Sequence, residues 1–424
     1  MKAYSFPQLQ EQYLEEILPN GLRIRVIPKP EFAKTYSIIA VNYGSVDTHF
    51  QLDGVPCVTP DGVAHYLEHK LFDMPDGNVM QQFSSMGGSP NAFTGYTMTA
   101  YYVEATERWE DNLRLLLRYV STPYFTEESV EKERGIIAQE IRMYEDSADS
   151  RIYENLFRAL YDHHPVRVPI AGTVESIQAI TAETLHQCYR AFYTPSNMML
   201  CVAGPVDAER VAAIARETTP AAGSPAARPD YGPPEALTGH RQRVEERMEV
   251  AMPTFTVAFK CEAEPGGRDT MAREILGDMA AELLAGESTP LYHRLYEEGL
   301  IDSSFSVGYE SVKGLGMLSA SGDSRDPDAV VRAILDEADR IAREGADPAL
   351  FSRLLRSGYG RRIRELDSFE NICYRMCQSC FAGEEYYQFP ACCRALSQEQ
   401  AEAMLREAVV PERSAVSLIY PKKG

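Results

Sequence analysis

The stretch Asp61-Gly-Val-Ala-His65-Tyr-Leu-Glu68-His69-Lys-Leu-Phe72 holds two histidines four residues apart. On an α-helix such residues stand one turn above each other, so both imidazoles can point at a single ion. Neutral imidazole is a good ligand for zinc. Glu68 follows His65 by three positions and precedes His69 by one, which places it beside such an ion rather than on it. A carboxylate there can take a proton from water and later pass it to a leaving amine. The competing reading is a helix face on which two histidines pair with carboxylates for stability alone.

Catalytic zinc needs a third protein ligand and one position left open. The candidate lies in Glu131-Lys-Glu133-Arg-Gly-Ile-Ile-Ala-Gln-Glu140-Ile-Arg-Met-Tyr-Glu145. Glu133 and Glu140 are seven apart, nearly two helical turns and so on one face. Ile137 and Tyr144 continue that stripe inward. A carboxylate on an inward stripe is costly unless it meets a cation or hydrogen-bond donors. Serving as a metal ligand meets that need for Glu140. Glu133 can hydrogen-bond a ligand imidazole from behind or tune the water. The plain alternative is that both are solvated helix carboxylates. The reading taken forward is one zinc per chain on His65, His69 and Glu140, with Glu68 and Glu133 as catalytic groups.

Strands and helices must carry these side chains. Leu22–Ile27 alternates apolar and polar residues and reads as a strand, as do Tyr36–Val41, Gly88–Thr94, Met98–Val103 and Asn197–Val202. Helical patterns cover Gly62–Phe72, Trp109–Val120, Glu127–Glu145 and Ile180–Phe192, and Asp207 can cap one more helix. Five prolines between Thr218 and Thr238 then mark a semi-stiff linker. Beyond it come strands at Phe255–Lys260, Ser303–Val307, Gly316–Ala320 and Ala415–Ile419. The helices there are Arg268–Leu284, Pro327–Arg343, Pro348–Arg364 and Phe369–Phe381. Met98–Glu145 and Met317–Glu365 share one order of strand, loop, helix, acidic turn and long helix. This predicts a duplicated α+β unit: a zinc-bearing domain over 1–217, a linker over 218–238 and a homologous non-catalytic domain over 239–424.

Composition bounds the partners. The 424 residues carry 42 basic and 62 acidic side chains, a net charge of −20. Such a surface repels phosphate, so neither nucleic acid nor an anionic membrane is expected as a partner. No apolar run approaches the ~20 residues of a membrane helix. Met1–Pro7 reaches polar residues at once, without a secretory core, and nine cysteines suit a reducing, cytoplasmic setting. Cys373, Cys377 and Cys380 have the spacing of a radical S-adenosylmethionine cluster motif. Only residues 381–424 follow, too few for the barrel that chemistry requires. The same spacing makes one helical stripe, so burial is expected rather than a cluster or a structural metal. His163-His164 reads as a loop or cap.

The zinc-type motif, in the reversed order known as inverzincin, resembles that of the pitrilysin/insulinase family of zinc peptidases. His65, Glu68 and His69 match the family motif, Glu140 its distal glutamate and Glu133 its auxiliary glutamate. Further likeness lies in Ser89-Pro-Asn91-Ala92-Phe-Thr94, in Pro169–Ile177 and in Tyr193–Met198. The resemblance implies two homologous α+β domains arranged as a clamshell, and hydrolysis of peptides or unfolded segments. The substrate would add a strand to the edge Gly88–Thr94, with Gly88, Asn91, Ala92 and Thr94 as binding residues. One departure stands out. The family's second domain usually supplies an Arg and a Tyr seven residues apart around a Gly-Leu pair. Here Gly299-Leu300 is followed by Ile301-Asp302, and no Tyr lies seven beyond Arg294. The resemblance therefore implies a zinc-bearing subunit of a heterodimer whose homologous partner supplies Arg and Tyr, with a homodimer as the next choice. A non-proteolytic, chaperone-like assembly subunit stays open. So does a dedicated processing factor, for example one linked to elongation factor P modification.

Overall fold

A computed structural model describes residues 1–75, 77–221, 225–262 and 270–422. The chain is α+β and gathers into two compact units, one of Met1–Ile141, Pro169–Tyr231 and Ile363–Tyr387, the other of Arg142–Val168, Gly232–Arg362 and Gln388–Gly424.

In the first unit β1 (Lys2–Phe6), β2 (Glu11–Ile17), β3 (Arg23–Pro28), β4 (Thr35–Val41), β5 (Gly88–Thr94), β6 (Thr99–Ala105) and β7 (Met198–Gly204) form a sheet ordered β1-β2-β3-β7-β4-β6-β5. Strands β3 and β7 run parallel, and their other pairings are antiparallel. Every residue of β4 and β7 is buried, because both faces of the sheet are covered; this is why both strands are mostly apolar, with only Thr35 and Ser37 polar. On one face Ile24, Val26, Ile39, Val41, Leu200 and Val202 join a core with α1 (Val63–Leu71) and α2 (Trp109–Val120). Helix α2 offers Leu113, Leu116, Leu117 and Val120 as a stripe of helical period. Helix α3 (Glu127–Glu145) begins in this unit. Its expected inward stripe is only partly so: Ile137 is fully buried, whereas Tyr144 is 38% exposed.

The second unit holds β8 (Arg243–Met248), β9 (Thr254–Cys261), β10 (Ser306–Val312), β11 (Leu315–Asp323) and β12 (Ser414–Pro421), ordered β8-β12-β9-β11-β10. This repeats the order β3-β7-β4-β6-β5, including the parallel pair, here β8 with β12. The strand expected at Ser303–Val307 starts later, at Ser306, because Asp302 accepts the Ser304 N–H (2.8 Å) and closes a turn there. The first residues of the helix expected from Arg268 lie outside the described residues; it runs over Met271–Ala285.

The unit limits cross the linker. Helix α4 (Ala148–Leu160), from the first half of the sequence, packs on β12, β9 and β8, where Ile152 meets Met248 and Ile419. Conversely α5 (Phe369–Ala382), from the second half, packs on β7 and β4 of the first sheet. There Cys373 and Cys377 are fully buried, and Cys373 hydrogen-bonds Cys201. The cysteine stripe is therefore a packing face, and all nine cysteines are free thiols. The linker is pinned rather than merely spacing. Arg228–Pro229 pairs with Phe50–Gln51, and Tyr231 donates its hydroxyl to Asp47 at 2.6 Å. Glu235 accepts the N–H groups of Asp162, His163 and His164, the shortest at 2.8 Å. Residues 222–224 of the linker lie outside the described residues.

Candidate metal centre

Helix α1 is set by backbone contacts at its start. Gly62 caps it with φ +88°, and a Cβ there would lie 2.4 Å from the Ala171 carbonyl oxygen. Gly172, at φ +74°, faces the Asp61 carbonyl just as closely, and Ser176 Oγ donates to that same carbonyl at 2.9 Å. Gly62, Gly172 and Ser176 thus hold the start of α1 against the 169–177 segment. The likeness of Pro169–Ile177 to the family did not reveal this contact. A Gly-Thr-x-x-Ser turn, unusually rich in local hydrogen bonds, was the available signal. At the other side of α1, the Tyr66 hydroxyl donates to the Val130 carbonyl, which ties α1 to α3. Lys70, fully buried, is neutralised by Asp73 at 2.6 Å.

These ties bring the predicted ligands together. His65 Nε2 lies 3.6 Å from Glu140 Oε1, and His69 Nε2 lies 3.3 Å from Glu140 Oε2. Among the described residues these three form the one group able to hold a metal, with donor atoms all within 4.8 Å of one another. Tetrahedral zinc with bonds near 2.0–2.1 Å has donors about 3.3–3.4 Å apart. The donor set and its spacing therefore fit that ion. His69 Nδ1 lies 3.0 Å from Glu133 Oε1, which fixes the ring with Nε2 turned to the site. His65 Nδ1 is buried without a hydrogen-bond partner among the described residues. Burial works against charge on His69, yet Glu133 and Glu140, with Glu68 nearby, push its pKa up to about 10. In an ion-free protein a proton thus balances the carboxylates that a cation would otherwise satisfy.

Glu68 is 8% exposed, and its Oε2 accepts the Thr94 hydroxyl at 2.6 Å. The four residues expected to bind substrate divide. Strand β5 is the outer strand of its sheet, as an added peptide strand requires. Alternation puts Ala92 and Thr94 on one face and Asn91 and Phe93 on the other. Thr94 turns to Glu68, whereas Asn91 hydrogen-bonds Tyr102 and its own neighbour Ala92 N–H (2.9 Å). Gly88 has a packing reason: a Cβ would lie 2.1 Å from Asn112 Oδ1. In the second unit Arg294 sits on the helix Pro290–Glu297, and Asp302 is engaged by Ser304. No helix among the described residues is long and apolar enough to cross a membrane.

Residues 59–174 match the family model described as Insulinase (Peptidase family M16), and residues 179–357 match Peptidase M16 inactive domain. A Bacillus subtilis (strain 168) protein named uncharacterized zinc protease YmfH is 36% identical over 433 residues, spanning 100% of both chains. The crystal structure of a putative M16-like peptidase from Alicyclobacillus acidocaldarius superposes with TM-score 0.94 at 33% identity, over 99% of this chain and 100% of that one. Pitrilysin superposes with TM-score 0.78 at 18% identity, over 98% of this chain and 45% of the pitrilysin chain, a likeness of fold. The chain belongs to the insulinase family of peptidases, M16.

Proposed function

We propose that the chain is a zinc-dependent endopeptidase of the cytoplasm that cleaves peptides or unfolded segments. It carries one zinc and works beside a homologous subunit that brings Arg and Tyr. The observation that carries the reading is the convergence of His65, His69 and Glu140 to zinc-like spacing, with a buried carboxylate and an open sheet edge alongside. Zinc held by those three side chains would supply Lewis acidity toward a water and a substrate carbonyl. Glu68 takes a proton from the water as its oxygen attacks the carbonyl carbon, then delivers that proton to the leaving nitrogen. Glu133 orients His69 through Nδ1. Strand β5 offers its free edge to an extended peptide, whose backbone hydrogen bonds make little demand on sequence. This chain has no Tyr seven beyond Arg294 and continues Gly299-Leu300 with Ile301-Asp302, so a partner that brings the Arg and the Tyr would complete the chemistry.

The test is zinc content and cleavage of an unfolded protein by the purified chain, alone and with a co-expressed homologous subunit. Glu68→Gln is expected to keep zinc and lose at least about 100-fold in rate. Hydrolysis surviving that substitution removes Glu68 from the mechanism, and a chain that takes up no zinc removes the reading altogether. Zinc bound without cleavage in either format points instead to a non-proteolytic assembly subunit.

A further inference from the structure

We infer that Thr94, backed by Thr99, is a positioning residue that fixes the Glu68 carboxylate for proton transfer; this rests on the peptidase reading above. A hydroxyl has one proton to give. Thr99 is fully buried and lies opposite Thr94 in the β5–β6 register. It sends its proton to the Tyr43 carbonyl at 2.9 Å, and its oxygen lies 3.5 Å from Thr94 Oγ1. The Thr94 proton is directed at Glu68 Oε2. The 2.6 Å separation falls in the range of about 2.5–2.7 Å for a hydroxyl bound to a carboxylate. This is the one hydrogen bond the Glu68 side chain makes among the described residues. The terminal torsion of glutamate is otherwise broad. Tying Oε2 stops that rotation and leaves Oε1 as the oxygen that handles the proton. Because Thr94 ends β5, the same bond sets the base in register with the strand edge. Thr94 then acts on the enzyme's own carboxylate rather than on a substrate side chain.

The test compares wild type, Thr94→Val and Thr94→Ser, each loaded with zinc and supplied with the partner subunit. Valine keeps the shape and loses the hydroxyl. It is expected to lower kcat about 10- to 100-fold with KM and zinc content unchanged, while serine restores the rate. In a Glu68→Gln background Thr94→Val should add nothing. Crystal structures of the metal-free proteins give a readout independent of activity: Glu68 holds one orientation in wild type and in Thr94→Ser, and a rotated or split carboxylate in Thr94→Val. A valine variant with full kcat, a loss confined to KM, or an unmoved Glu68 overturns the inference. If no form cleaves while Glu68 still moves in Thr94→Val, the peptidase reading fails and the positioning role stands.

Discussion

Zinc uptake should expel a proton, and His69 is where it comes from. With Glu133 at 3.0 Å and Glu140 at 3.3 Å, the ion-free imidazole has its pKa raised from 6.5 to about 10 despite burial. A ligand nitrogen must be deprotonated before it can bind. At pH 8, about two units below that value, only about 1% of the ion-free protein has His69 neutral, a competition on the order of 3 kcal/mol. Apparent zinc affinity should therefore rise about tenfold per pH unit between pH 7 and 8.5, with about one proton released per ion. An unperturbed imidazole would already be neutral there and release almost none. Isothermal titration of the ion-free chain at pH 8, in buffers of different ionisation enthalpy, counts that proton directly. Glu133→Gln, which removes the first of the carboxylates that raise the pKa, should cut the count and flatten the slope. Affinity independent of pH over this range, with no proton released, would refute the reasoning. The same linkage acts on the fold. The His69 ion pairs stabilise the ion-free protein fully below about pH 6.5, and that contribution is lost as pH rises through about 10.

Two further predictions test the frame around the site. Gly62→Ala combines a left-handed φ of +88° with a Cβ 2.4 Å from the Ala171 carbonyl oxygen. It should cost about 2–4 kcal/mol in urea unfolding and weaken zinc binding by displacing α1; unchanged values for both would mean that the α1 start does not set the site. Burial opposes the charge on Glu235, but the N–H groups of His163, Asp162 and His164, with Lys260, hold its pKa at about 2. Its side chain is 5% exposed, so Glu235→Gln should cost about 3 kcal/mol at pH 7. That stability is present above about pH 4.5 and lost as pH falls toward 2, so the gap between variant and wild type should narrow at pH 3; an equal gap at both pH values would disprove it.

The candidate ligands His65, His69 and Glu140 were legible because their spacing is local in sequence. Two histidines a turn apart and a glutamate pair two turns apart each lie on one helix, and helical geometry converts spacing into a shared face. Strand Gly88–Thr94 and helices Trp109–Val120 and Glu127–Glu145 matched their observed limits for the same reason. What escaped depends on partners distant in the chain. Arg25 looked like the polar half of an alternating strand. It is buried instead, bonded to Glu15 at 2.9 Å and to Glu385 at 3.3 Å, and no window around position 25 contains Glu385. The close packing of Gly88 against Asn112 could not be foreseen either, because Asn112 sits on another element. The bond from Thr94 to Glu68 was equally hidden, since a strand pattern does not reveal which residue of another element stands across from it. Exchange of α4 and α5 was invisible because each helix carries an ordinary amphipathic pattern that names no sheet.

That exchange has a bearing on how the protein is made and on how it can be cut. The sheet face bearing Tyr36, Ile38, Ala40 and Cys201 waits for a helix near the far end of the message. Until Phe369–Ala382 emerges from the ribosome, a sticky apolar surface stays bare, which invites a chaperone's hold. An expression fragment stopped at the linker would strand α4 without its sheet and leave that surface uncovered. The useful unit for any laboratory study of either half is therefore the whole polypeptide.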